Sequence, residues 1–217
     1  MFRFFIFLFS FYSFHTLFSQ NNFNENGEKE GSWVGYHENG NIKYKGQFVK
    51  DKEVGIFNYY DYSGNLLIKL NYIDPGTMSQ VEIYDANGVI KSTGYYLNKE
   101  KHGVWVSYNI KKEKISQEQY RKGLLNGDCI YYYNNGVVSE TYYYIDGFRE
   151  GAAEMFYRSG HLNMQGNYYK DKLHGQVIFY YDDHNKIESK GQYVMGLKDS
   201  LWIFLNQIGD TLDVIDY

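Results

Sequence analysis

A fixed interval constrains this chain more than any single residue does. A glycine is followed two residues on by Trp33 or its equivalent and five residues on by an aromatic residue, and the pattern returns every 24 residues. The unit starts are Gly31, Gly55, Ser79, Gly103, Gly127, Gly151, Gly175 and Ser200, with a last step of 25. The extra residue is expected in residues 185–193, near Gly191. A period of this length marks a repeat array. Each copy is one supersecondary unit that cannot bury its apolar face alone, and copies stack instead of surrounding one centre.

Each unit holds two short runs separated by two turn signals. The first signal is Asn-Gly or Ser-Gly, as at Asn39-Gly40, Ser63-Gly64 and Asn135-Gly136, and such dipeptides between apolar runs predict a hairpin. Lys112 and His184 stand where other units carry the turn glycine. The second signal is charged, as at Lys50-Asp51-Lys52-Glu53. No run has a convincing period of ~3.6 residues, and the 25 tyrosines favour strands. Residues 111–122 have a helix-forming composition, but they sit in register with the other units and read as a charged hairpin. The fold class expected is all-β: an elongated, single-layer antiparallel β-meander of about eight 24-residue hairpin repeats, twisted and curved.

Four-residue loops would place Gly31 opposite Phe48 and Phe48 opposite Gly55, with Trp33 opposite Gly46 and Gly46 opposite Phe57. Rows across the sheet would then alternate glycine with an aromatic ring lying over it. Seventeen residues into each unit stand Phe48, Tyr72, Tyr96, Tyr120, Tyr144, Tyr168, Tyr193 and Tyr217, the strictest landmark of the repeat. On this reading a valine at Gly103 blocks the rings of Tyr96 and Tyr120. Two-residue parity puts Gly31, Trp33, Gly35, Tyr44, Gly46 and Phe48 on one face, and Tyr36 and Lys43 on the other. A single layer cannot bury both faces. The tyrosines five residues into the units (Tyr36, Tyr60, Tyr84, Tyr108, Tyr132 and Tyr180) are therefore the candidate partner-binding residues.

Residues 1–19 have the layout of a secretory signal peptide: Arg3, then a largely apolar run, then Ser19. This implies export to the periplasm, cell surface or exterior. Residues 20–30 read as a loose polar leader, and residues 31–217 as the repeat domain. The net charge of −4 and the dispersed Lys and Arg argue against nucleic acid. The single cysteine, Cys129, excludes an internal disulfide and falls where other units carry Trp33, Phe57 or Trp105, so it reads as a buried small hydrophobe. His102 and His174 share a repeat position three units apart, roughly 29 Å at sheet spacing, too far to share a metal. His37, His161 and His184 fall in or beside turns. No nucleophile, phosphate-loop or metal-binding pattern is present, so the chain reads as non-catalytic, with no cofactor and no metal. Asp210, Asp213 and Asp216 in the last unit suit an edge strand that resists further pairing. Binding is to be sought where units depart from the rule, around Pro75, Lys112, Cys129 and His184.

The pattern Gly-x-aromatic-x-x-Tyr-x-x-x-Gly followed by Gly-x-Tyr, with Lys101-His102-Gly103 and Leu173-His174-Gly175 at unit junctions, resembles the MORN repeat in its bacterial variant form, as in the YwqK-like antitoxin family. The resemblance covers residues 25–217. It implies an elongated antiparallel sheet used for contacts with proteins and, in some members, lipid headgroups. The antitoxin name implies a toxin-neutralising partner. The leading expectation is a protein partner bound along an aromatic face, with carbohydrate or lipid-headgroup binding as the alternative.

Overall fold

The computed structural model describes residues 20–183 and 186–217. Residues 1–19, where the signal peptide is expected, and His184 lie outside the described residues. Among those described there are eighteen strands and no helix. Strands pair antiparallel in chain order, from Asn22–Phe23 at one end to Thr211–Asp216 at the other, with Lys172–Leu173 and Gly175–Tyr180 both lying against Leu162–Tyr169. The segment 111–122 supplies a turn and the strand Lys114–Arg121, as its register in the repeat requires. Residues 20–30 are more ordered than a loose leader. Asn22 pairs with Glu30 and Phe23 with Lys29, and the Phe23 ring stands edge-on to Trp33 at 5.1 Å. The Asn21 side-chain amide both accepts from the Val34 N–H at 2.8 Å and donates to its carbonyl at 3.0 Å, in the place a neighbouring peptide would take.

The core is a line, not a centre. The third residue of each unit (Trp33, Phe57, Val81, Trp105, Cys129, Ala153, Val177 and Trp202) is between 0 % and 8 % exposed. A single sheet buries these side chains because neighbours on the same face cover them. Phe48 wedges edge-on between Trp33 and Phe57 at 5.7 and 5.2 Å, and Tyr72 meets Phe57 at 5.7 Å. Tyr96 and Tyr120 flank Trp105, and Tyr193 and Tyr217 flank Trp202. Each such ring pair contributes about 0.5–1.5 kcal/mol beyond its burial.

Size is exchanged along this line between neighbouring strands. A Cβ at Gly46 would lie 2.3 Å from the Phe57 ring, and one at Gly94 or Gly191 would lie 2.3 or 2.4 Å from Trp105 or Trp202. The glycine-over-ring expectation therefore holds in this row. At three places where the third residue is small its neighbour is large: Leu70 pairs with Val81, Glu118 with Cys129, and Tyr142 with Ala153; Val177, between Gly166 and Gly191, is the exception. The glycine also lets the indole reach past it. Trp105 Nε1 donates to the Tyr95 carbonyl at 3.0 Å, and Trp202 Nε1 to that of Gln192 at 3.1 Å.

The leading glycines have a different role from the one their spacing suggested. Gly31 does face Phe48, but Phe48 pairs on its other side with Glu53 and not with Gly55. The reason is loop length. Val49 pairs with Lys52, leaving a two-residue loop, Lys50-Asp51, with φ of 51° and 63°, as a type I′ turn requires. The surplus residues bulge at Gly55, whose φ is +63°. Gly31, Gly55, Gly103, Gly151 and Gly175 all have positive φ and open space where a Cβ would stand. They supply backbone conformation, not room for a ring. The third unit shows the converse: with the longer Pro75-Gly76-Thr77 loop the irregularity moves to Ile73 on the preceding strand, Tyr72 pairs directly with Ser79, and no glycine is needed at that leading position. The extra residue of the last step lies in the turn between Tyr181 and Lys186, not near Gly191. The Tyr181 N–H reaches the Lys186 carbonyl there, whereas the corresponding bond elsewhere runs from His37 to Asn41.

Candidate functional site

The ring face contains a layer that the repeat reading missed. Lys29 Nζ lies over Trp33 and Phe48 at 4.9 and 4.8 Å, and Lys101 Nζ over Trp105 and Tyr120 at 4.6 and 4.4 Å. The Arg149 guanidinium covers Tyr142 and Tyr168 at 5.3 and 4.4 Å, and Lys198 Nζ covers Trp202 and Tyr217 at 4.2 and 4.8 Å. Each cation stands two residues before its unit's leading residue, so the signal was present in the spacing. These cations and their stems close the ring row from above.

The ring row is therefore occupied by the chain itself. Burial pushes the phenols of Tyr72, Tyr120, Tyr131 and Tyr142 upward, with Glu53, the Glu118 hydrogen bond, Tyr144 and Glu140 adding to the effect in turn. Burial likewise raises the Cys129 thiol, which holds it away from the reactive thiolate. Among the described residues, no three His, Cys, Asp or Glu side chains come together as metal ligands. His102 and His174 lie before the bulge glycines, and His174 Nδ1 accepts weakly from the Met195 N–H at 3.5 Å.

The six tyrosines singled out from sequence end the first strand of their units. Tyr36 is exposed, Tyr60, Tyr84, Tyr108 and Tyr132 are half-buried, and Tyr180 is buried. Tyr84 shows their direction: its hydroxyl donates to the Glu82 carboxylate at 2.5 Å, and Lys69 Nζ meets the same carboxylate at 3.1 Å, both on the face opposite the rings. Burial, then the Glu82 bond, pushes the Tyr84 phenol up to about 12. The backbone of this row joins unit to unit. The carbonyls of Phe156, Tyr180 and Leu205 accept from the hydroxyls of Tyr133, Tyr157 and Tyr181 at 2.7, 2.8 and 2.7 Å, and the Tyr60 carbonyl accepts from His37 Nε2 at 2.9 Å. Where Asp61, Asp85, Asn109 or Asn206 takes that next position, the side chain instead caps its own turn. These following residues were not singled out from sequence. Their mixed chemistry (His, Asp, Asn, Tyr) hides a shared position.

Such a sheet, one layer thick and one hairpin per 24 residues, defines a repeat scaffold of open architecture. The family model of the MORN repeat variant matches residues 29–50, 53–74, 80–98, 125–146 and 149–171. The chain belongs to the MORN repeat proteins. No curated protein is similar to it at a significant level. Among solved structures, that of a mutant of S. aureus TarM in complex with fondaparinux, alpha-GlcNAc-glycerol and UDP is 17% identical, with a TM-score of 0.34, over 44% of this chain and 19% of that one. The crystal structure of TarM is 20% identical, with a TM-score of 0.32, over 41% and 18%. The matched part thus spans less than a fifth of those chains.

Proposed function

We propose that the chain is a non-catalytic, exported scaffold that binds a protein partner along the face opposite its ring row. One observation carries this reading. The rings of the Phe48, Tyr72, Tyr96 and Tyr120 row are covered by one another and by Lys29, Lys101, Arg149 and Lys198, so the uncovered area is the other face and its tyrosine-bearing end. Tyr36, Tyr60, Tyr84, Tyr108 and Tyr132 would supply rigid anchors there at low entropic cost. Export follows from the layout of residues 1–19. Neutralising a toxin, as the YwqK-like resemblance implies, is a special case of the same reading.

The test is photocrosslinking in the native envelope fraction with a benzophenone amino acid at Tyr36 or Tyr108. The expected result is one stoichiometric protein adduct, absent when the crosslinker stands on the ring face at Tyr96. Failure to capture any protein, with binding of the repeat domain to glycans or liposomes, would replace this reading with the carbohydrate or lipid-headgroup alternative.

A further inference from the structure

Two concavities on the open face occupy the same place in the repeat, three units apart. In the first, Ile56, Lys69, Asn71, Gln80 and Glu82 surround about 90 Å³. Lys69 and Glu82 close it with their ion pair at 3.1 Å. In the second, the equivalent residues are Asp128, Thr141, Tyr143, Ala152 and Glu154, and the volume is about 580 Å³. Only the glutamate is kept. Its cross-strand neighbour is now Thr141, which carries no charge, and neither Asp128 nor Glu154 has an ion pair among the described residues.

Every exchange acts in one direction. Thr141 in place of Lys69 removes the ammonium while leaving its carboxylate. Asp128 in place of Ile56 adds a second negative charge. Ala152 in place of Gln80 opens the floor. Tyr143 in place of Asn71 supplies an exposed ring beside Asp128, its cross-strand neighbour, and a ring face attracts a cation and packs an alkyl stem.

We propose that this groove receives a lysine side chain of a protein partner, which restores from outside the ammonium that Lys69 supplies from within. The inference rests on the scaffold reading and names the chemistry of its partner. Glu154 and Asp128 hold the ammonium, and Tyr143 lies along the stem. The groove adjoins Cys129, one of the places where the repeat departs from its own rule.

The probe is pentalysine amide, with its fully Nε-acetylated form as control, added to the repeat domain and followed by amide chemical shifts. The expected result is saturable shifts at Asp128, Thr141, Tyr143, Ala152 and Glu154 with pentalysine and none with the acetylated peptide. Thr141→Lys, which rebuilds the internal pair, should weaken binding at least fivefold. Asp128→Asn and Glu154→Gln, which keep shape on an exposed surface, should do the same, and they decide the matter if the lysine variant fails to fold. Shifts spread over remote carboxylates such as Asp61 and Asp210 without saturation at the groove, or unchanged affinity in the Asn and Gln variants, would overturn the proposal. Crosslinking of a partner elsewhere on the face with no pentalysine response would remove the groove alone. Absence of any protein adduct would remove the scaffold reading itself.

Discussion

At the scale of the residue, the glycines divide into two kinds. Gly94 lies beneath a ring, with the Trp105 indole 2.3 Å from where its Cβ would be. Gly103 lies beneath nothing and has a φ of +65°. An unbranched L-residue in that conformation costs roughly 1–2 kcal/mol, and a β-branched one more. Gly103→Ala and the larger but unbranched Gly103→Met should therefore lower stability by similar amounts, about 1–2 kcal/mol each in chemical denaturation, whereas a β-branched residue would add its own strain at positive φ. A methionine far more costly than the alanine would restore the ring-blocking reading. Sequence spacing alone could not separate these roles. Both glycines share the period and the face, and what distinguishes them is a two-residue loop whose length is set by backbone geometry at residues such as Lys50 and Asp51.

At the scale of the element, the hairpins were legible because their turn residues are chemically strict. Period, strand pairing and the Gly46 row all followed from Asn-Gly and aromatic spacing. Loop type did not. The Asn39-Gly40 turn is a three-residue loop closed by the Gly40 N–H on the His37 carbonyl, with Gly40 at φ +83°, while the left-handed pairs of type I′ fall at the charged loops. Lysine and aspartate announce such a turn poorly. The unit containing Lys112 tests the point, since that lysine takes the glycine's place at φ +63°. Lys112→Gly should raise stability by about 0.5–1.5 kcal/mol, relief of the left-handed strain outweighing the added freedom of the unfolded chain. Thermal denaturation reads the shift, and a fall would mean that the lysine side chain has a compensating contact.

At the scale of the whole molecule, one face carries the buried clusters around Trp33–Trp105 and around Tyr142–Tyr168, and the other is the surface we propose for a partner. The cations over the rings escaped the sequence reading because Lys29, Lys101, Arg149 and Lys198 alternate with Glu53, Leu125 and Leu173 at the same place in other units. The core carries a pH signature. Burial raises Tyr59, Tyr96, Tyr144 and Tyr168, and on the opposite face burial and the Glu82 bond take Tyr84 to about 12. Unfolded phenols ionise near ~10, so the folded chain holds more protons above that pH. The stabilisation is full below ~10 and lost as pH rises from there through about 12. The melting temperature should be level from about pH 7 to 9 and fall above about 10, with the buried phenols ionising together with unfolding. Their independent titration in a folded chain near the ordinary value would contradict this.

The central claim is that size is exchanged across the ring row, large against small, and a double-mutant cycle tests it most directly. Gly94→Leu overpacks against Trp105, and Trp105→Val leaves a cavity over Gly94; each alone should cost about 2–4 kcal/mol. Together they place the leucine and valine of the Leu70–Val81 pair, one repeat earlier, on either side of the Gly103 bulge. The account predicts that the double variant recovers at least about 2 kcal/mol relative to the sum of the two single costs. Strictly additive losses in urea denaturation would show that the row is not packed by exchange and that the order of large and small residues along it is incidental.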